Sequence, residues 1–415
     1  HTSCWVLYHT IHKDTQRLSA GAISLIMAPL GAALLGTGIF AKDIYKSNFK
    51  AKESEVYLKT VWSRTIESAQ AYVQEFFPRS RAVAGEEALQ EIIEDDTIQL
   101  VVVVLPVQAA LKIVQRCLVA GKAVVQEKPV AATVTEAAEA ISAYRRAVAE
   151  AQTPQRTPLW MFAENYRYEA VFVAASRRVS EIGRIIKLDL IADLPMDERN
   201  RYFGSAWRRD TSGCPGGFFM DSSVHFVAAL RMLAAAAGLG EAVSACAHSL
   251  QAKPHLSFPD SVVGFARFAN GDVPASISIS LAAHQVRWSL SVVGTEGSLE
   301  VSRGGWGGTR TGYTLSIKTI RAQESPQQGQ TDPTVQVLAY AFSGCQDEFA
   351  EFVGLTAELR RDEAAGGCGG DGAGVVVPDA AARSSPEEGA RDLALIEALL
   401  ASAADGGQPV RVVQI

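Results

Sequence analysis

Cysteine is scarce and scattered: the chain has six, Cys4, Cys117, Cys214, Cys246, Cys345 and Cys368, and none forms a C-x-x-C pair. Neither a zinc site nor a disulfide framework follows from such spacing, and a reducing compartment fits it. His9 and His12 resemble a metal pair by spacing alone, so no metal is expected. Positive charge is not in excess either: 39 Lys and Arg against 45 Asp and Glu leave a net charge of -6. That gives no electrostatic reason to expect a nucleic-acid partner. The basic pairs Arg199/Arg201 and Arg208/Arg209 are local, and read either as a solvated face or as contacts to an anionic ligand. No internal repeat is visible.

Charge is absent altogether from Leu18 to Phe40, a stretch long enough to suggest a membrane span. Pro29 and the small residues argue against that, and the second half reads better as a buried parallel strand feeding a glycine-rich turn. No membrane association is expected. Met27-Ala28-Pro29 looks like a start just ahead of this strand. Residues 1–26 are expected to lie outside the fold, as a degraded organelle-targeting segment carrying Lys13, Arg17 and a single acid. The expected compartment is the cytosol, with a plastid or mitochondrion the alternative if that segment is genuine.

With 415 residues, two domains are expected. Residues 27–163 alternate short apolar runs (30–35, 56–62, 100–105, 123–126, 160–162) with helical patterns, as a parallel sheet covered on both faces requires. From 164 to 415 the strands alternate in polarity, which suits a more exposed sheet, and Asn270-Gly271 marks a hairpin. A helix is expected to follow Asp221, and two more over 346–358 and 389–402. The Gly/Ala/Ser-rich stretch 361–386 reads as a mobile insertion.

Gly36-Thr37-Gly38-Ile39-Phe40-Ala41 follows the first apolar run. In a strand–turn–helix unit, Gly36 allows the tight turn, Gly38 lets the backbone approach a pyrophosphate, and the small third residue lets helix and strand pack closely. The end of the second strand carries Ser63-Arg64-Thr65, with no acid until Glu67. A guanidinium suits a ribose 2′-phosphate, so NADP(H) is expected over NAD(H), unless Arg64 is a solvated loop charge. Glu127-Lys128-Pro129 stands where another strand ends, the place at which ligands bind open parallel sheets. There Lys128 can hydrogen-bond a substrate hydroxyl, unless it is a surface lysine in a turn. Further on, Asp221 and His225 are four residues apart and share a helix face. They read either as a proton relay with the carboxylate fixing the ring, or as a helix cap plus a structural histidine.

Taken in order, Gly36–Ala41, Ser63-Arg64, Glu127-Lys128-Pro129, Asn165-Tyr166-Arg167, Trp207-Arg208, Gly216-Gly217 with Asp221 and His225, and Gly294–Glu300 resemble the glucose–fructose oxidoreductase / inositol dehydrogenase (Gfo/Idh/MocA) family. The resemblance covers about residues 29–360. It implies an α/β protein with an N-terminal Rossmann domain and a C-terminal α/β domain whose open, largely antiparallel sheet often builds homodimers or homotetramers. It implies cofactor contacts from Pro106, Glu127, Lys128, Trp207 and Arg208 besides the glycine turn. The substrate would meet Lys128, Asn165, Tyr166, Arg167, Asp221 and His225. His225, supported by Asp221, would be the base, although within the family the proton goes to either Lys128 or His225.

One departure stands out. Many members carry Asn-x-x-His after the strand ending at Leu105, and this chain has Pro106-Val107-Gln108-Ala109-Ala110. The expected activity is hydride transfer between NADP and a sugar, polyol or related small molecule. The alternatives are a non-enzymatic NADP-binding regulator and a cofactor-assisted elimination or glycoside cleavage.

Overall fold

The computed structural model describes residues 28–151, 156–257, 259–306, 311–320, 333–361 and 379–415. The expectations for residues 1–26, and for the greater part of the insertion, therefore lie outside the described residues. Secondary structure resumes earlier than expected, in a 3-10 turn at Asp379–Ser384.

The first sheet has six parallel strands: β1 (Leu30–Leu35), β2 (Val56–Ser63), β3 (Arg81–Ala84), β4 (Leu100–Val103), β5 (Ala123–Glu127) and β6 (Leu159–Ala163). Their order, β3-β2-β1-β4-β5-β6, is that of a Rossmann sheet and reverses between β1 and β4. Around them run α1 (Lys46–Ala51), α2 (Ile66–Phe76), α3 (Gly85–Glu94), α4 (Val107–Val119) and α5 (Val134–Glu150). The central strands are apolar throughout because both faces are buried. Leu35, Val101, Val103 and Val124 enter one core, and Leu34, Leu100, Val102 and Val125 the other.

The second sheet has nine strands in the order β14-β13-β12-β11-β7-β10-β9-β8-β15. These are β7 (Ile185–Pro195), β8 (Ala242–Leu250), β9 (Ser261–Phe268), β10 (Pro274–Ser280), β11 (Ala282–Gly294), β12 (Gly297–Arg303), β13 (Tyr313–Ile320), β14 (Pro333–Tyr340) and β15 (Val410–Arg411). Only the β7–β10 pair is parallel. The β9–β10 hairpin turns at Gly271 and Asp272, both at positive φ. One face packs on α6 (Ala170–Arg178), α7 (Gly217–Ala236) and α9 (Pro386–Ala404). The other is open, and β9 alternates buried and exposed residues accordingly. α7 is apolar and long enough to cross a membrane by composition, and it is buried inside the molecule.

Two expectations change. α7 begins at Gly217, so Asp221 lies in its second turn and does not cap it. The helix α8 (Gly344–Arg361), assigned by position to the second domain, packs on the first sheet: Phe349, Phe352, Val353, Leu355 and Leu359 share a core with Leu34, Val102 and Val125. Without it that apolar face would meet water, at about 1.5–3 kcal/mol for each large side chain left exposed.

Candidate active site

The glycine turn leaves β1 at the point where the strand order reverses. Gly36 has φ +111°, and a Cβ there would lie 2.2 Å from the carbonyl oxygen of Val104. No other residue type fits. Gly38 is different, since a Cβ on it would meet nothing within 4 Å. That open space lies at the N-terminus of the helical run starting at Ile39, where unpaired N–H groups attract phosphate. Ala41 is fully buried, with its carbonyl accepting the Tyr72 hydroxyl at 3.1 Å, so the helix sits close to its neighbours. At the end of β2 the Ser63 hydroxyl accepts from Thr37 at 3.3 Å, and Arg64 and Thr65 are exposed. Arg64 makes no ion pair or hydrogen bond among the described residues. These residues fit a dinucleotide: Gly36 to Phe40 would hold the pyrophosphate, and Ser63 to Thr65 the adenosine ribose.

The reacting groups gather at the carboxyl ends of β5 and β6. Lys128, joined to Pro129 by a cis peptide, donates from Nζ to the backbone oxygen of Asp221 (2.7 Å) and to its Oδ1 (3.1 Å). Arg208 Nε donates to Asp221 Oδ2 at 2.7 Å. Its guanidinium is stacked over Trp207 (4.2 Å) and Tyr202 (4.9 Å) and anchored to Ser205 Oγ at 2.8 Å. Burial pushes the Asp221 carboxyl up, and the charges of Lys128 and Arg208 outweigh it and hold the group down at about 2. Asp221 is thus an anion shared by two cations.

The expected Asp221–His225 contact is not formed. His225 Nδ1 pairs instead with Glu164 Oε1 at 2.7 Å, and Glu164 is fully buried at the end of β6. The Asp221 oxygens turn to Lys128 and Arg208 instead, and spacing along a helix could not reveal that. Nothing local in the sequence singles out Glu164. The available sign was its place: β5 and β6 pair with Glu127 opposite Ala163, so Glu164 follows at the level of Lys128.

The three residues expected at the substrate after β6 are placed otherwise. Arg167 is buried and forms ion pairs with Asp392 (2.6 Å) and Glu388 (3.2 Å) of α9, so it ties elements together. Asn165 donates to Glu169 at 3.2 Å and is buried. Tyr166 stacks on the His225 ring, centroids 5.2 Å apart, and so backs the site. Glu127 accepts the Tyr45 hydroxyl at 2.7 Å, and burial pushes it up to about 7.

A strap over residues 196–216 crosses between the domains. Arg201 forms an ion pair with Asp43, just beyond the glycine turn. Pro106 precedes α4, and Gln108 next to it donates to the Trp207 carbonyl at 3.2 Å. The first turn of α4 thus holds the strap.

A Rossmann sheet with an open glycine turn, and a lysine at the end of β5 bonded to a carboxylate of α7, suit an oxidoreductase of the nicotinamide-nucleotide type. Residues 30–152 match the oxidoreductase family with NAD-binding Rossmann fold, and residues 174–300 match the GFO/IDH/MocA C-terminal domain. The chain belongs to the Gfo/Idh/MocA family. It is 28% identical over 390 residues to dehydrogenase FPY6 of Fusarium mangiferae, covering 91% of this chain and 97% of that one. Among solved structures, an oxidoreductase from Thermotoga maritima superposes with a TM-score of 0.70 at 22% identity, over 92% of this chain and 98% of that one. A levoglucosan dehydrogenase in complex with NADH and L-sorbose gives 0.71 at 20% identity, over 94% and 100%. These structures show the fold.

Proposed function

We propose that this protein is an NADP-dependent dehydrogenase or reductase acting on a sugar, a polyol or a related hydroxy/oxo compound. The observation that supports the reading is Lys128 at the end of β5 hydrogen-bonded to Asp221 of α7, with His225 one turn further along α7 paired to Glu164 at the end of β6. The nicotinamide supplies the hydride acceptor or donor. The side chains do the rest. Lys128 hydrogen-bonds the substrate oxygen and stabilises negative charge growing there. Asp221, kept ionised, holds the Lys128 ammonium in place. His225 is the base that takes the hydroxyl proton. Arg64, exposed at the end of β2, supports NADP over NAD, with the NADH-bound levoglucosan dehydrogenase showing that the fold also takes the other nucleotide.

The test follows NADPH formation by absorbance across aldoses, polyols and trans-dihydrodiols, with Lys128→Ala and Arg64→Asp alongside. Lys128→Ala is expected to lower turnover about 100-fold or more while cofactor binding survives. Arg64→Asp should weaken NADP against NAD. Near-normal turnover in Lys128→Ala would refute the assigned role. No turnover of any substrate by a protein that binds NADPH tightly would favour a regulator, and product formed without net reduction an elimination.

A further inference from the structure

We propose that Glu164 is the positioning residue of the proton-transfer step. It accepts the Nδ1 proton of His225, fixes the tautomer that leaves Nε2 free as acceptor, and stabilises the imidazolium formed when the substrate hydroxyl gives up its proton. The assignment rests on the dehydrogenase reading above and adds to it the group that controls the base.

The carboxylate that His225 meets is Glu164. Asp221, the acid on the same helix, has Oδ1 bound to Lys128 and Oδ2 bound to Arg208. Glu164 lies 2.7 Å from Nδ1, with its carboxylate 0% exposed. It is held in turn: its Oε1 also accepts the backbone N–H of Tyr166 at 3.2 Å, and the Tyr166 ring stacks on the imidazole at 27°. The histidine side chain keeps 23% of its surface exposed, so one edge faces buried carboxylate and another reaches solvent.

The charges around Glu164 single it out as the anion. Arg167 of its own turn and His225 of α7 favour its ionised form, while Glu127 of β5, and Glu348 and Cys345 of α8, face it as repelling groups. Burial pushes Glu127 and nearby Glu169 up to about 7 and Glu348 well above the usual carboxylate range. Glu348 keeps its proton, and Glu127 and Glu169 are only partly ionised at neutral pH, which lowers the repulsion. Burial also opposes ionisation of Glu164, and His225, the Tyr166 amide and Arg167 outweigh it.

In the oxidative direction the substrate O–H bond breaks and an Nε2–H bond forms. The electron pair left on oxygen closes the carbonyl as hydride leaves carbon for the nicotinamide. The imidazolium then carries its charge against the Glu164 carboxylate until the proton leaves to solvent.

Two measurements on the full chain decide the matter. Long-range ¹⁵N–¹H spectra of ¹⁵N-histidine-labelled protein report the tautomer of each of the seven histidines, and His225→Ala assigns the signal. Neutral His225 is expected to carry its proton on Nδ1; a proton on Nε2 would overturn the proposal. Glu164→Gln keeps shape and removes charge. It should lower kcat about 10- to 100-fold with cofactor affinity within about twofold, and Glu164→Asp should recover part. A kcat within about twofold of the wild-type value in Glu164→Gln would refute the role. If the wild-type protein turns over no substrate, the dehydrogenase reading fails by itself, and the spectra still decide the tautomer.

Discussion

Gly36 and Gly38 stand two positions apart in one turn and should fail differently when a methyl is added. Gly36→Ala forces a Cβ to within 2.2 Å of a backbone oxygen at a φ of +111°, so a loss of stability of about 1–3 kcal/mol is expected. Gly38→Ala meets no atom within 4 Å and should leave Tm unchanged. Its methyl would instead occupy the space left for the pyrophosphate, weakening NADP binding about tenfold or more, or about 1.4 kcal/mol. Thermal melts and nucleotide titration of the two variants check this. Unimpaired NADP binding by Gly38→Ala would move the nucleotide elsewhere. At this scale the sequence was informative about groups whose place follows from their own element, such as the glycines of the turn after β1 and Lys128 at the end of β5. It was misleading where a side chain's partner comes from another element. Asp221 and His225 sit at helical spacing and look like a pair until Lys128, Arg208 and Glu164 arrive from other parts of the fold.

Among elements, the junction of α7, α9 and the turn after β6 is made by buried charge. Arg167 and Arg231 share Asp392 at 2.6 Å each, and both also reach Glu388. Asp392→Ala would leave two buried guanidinium groups with too little counter-charge, and a loss of about 3–5 kcal/mol is expected in denaturant unfolding. Arg167→Met should lower Tm and leave the substrate KM unchanged. A raised KM at unchanged Tm would restore a substrate role for Arg167. Most elements were legible from periodicity, because apolar strands and amphipathic helices leave different patterns. Two features were not. β3 has only four residues, begins with exposed Arg81 and lies at the sheet edge, so it leaves almost no pattern. The pattern of α8 shows that it buries one side but not which sheet receives it.

For the whole molecule, the open face of the nine-stranded sheet bears on assembly. Hydroxyl and charged side chains cross its middle in register, Ser276, Asp189, Ser291, Glu300 and Ser316, while Val263, Phe265 and Val337 stand 57%, 55% and 63% exposed toward its two ends. We propose that a second copy of the chain covers this face, giving a homodimer or homotetramer. Sedimentation equilibrium should find an assembly larger than one chain, and Phe265→Lys should shift it toward monomer at unchanged secondary structure. A monomer at micromolar concentration in the wild-type protein would dismiss the proposal.

The return of α8 to the first sheet also has a consequence for synthesis. The strands of that sheet are complete once Ala163 has left the ribosome, but the helix that covers Leu34, Val102 and Val125 ends only at Arg361. At ribosomal rates the interval is roughly 10–40 s. For that time the nucleotide-binding half is an unfinished nascent domain with an apolar wall facing water, a surface a chaperone would recognise. The half of the enzyme made first is therefore among the last to be closed.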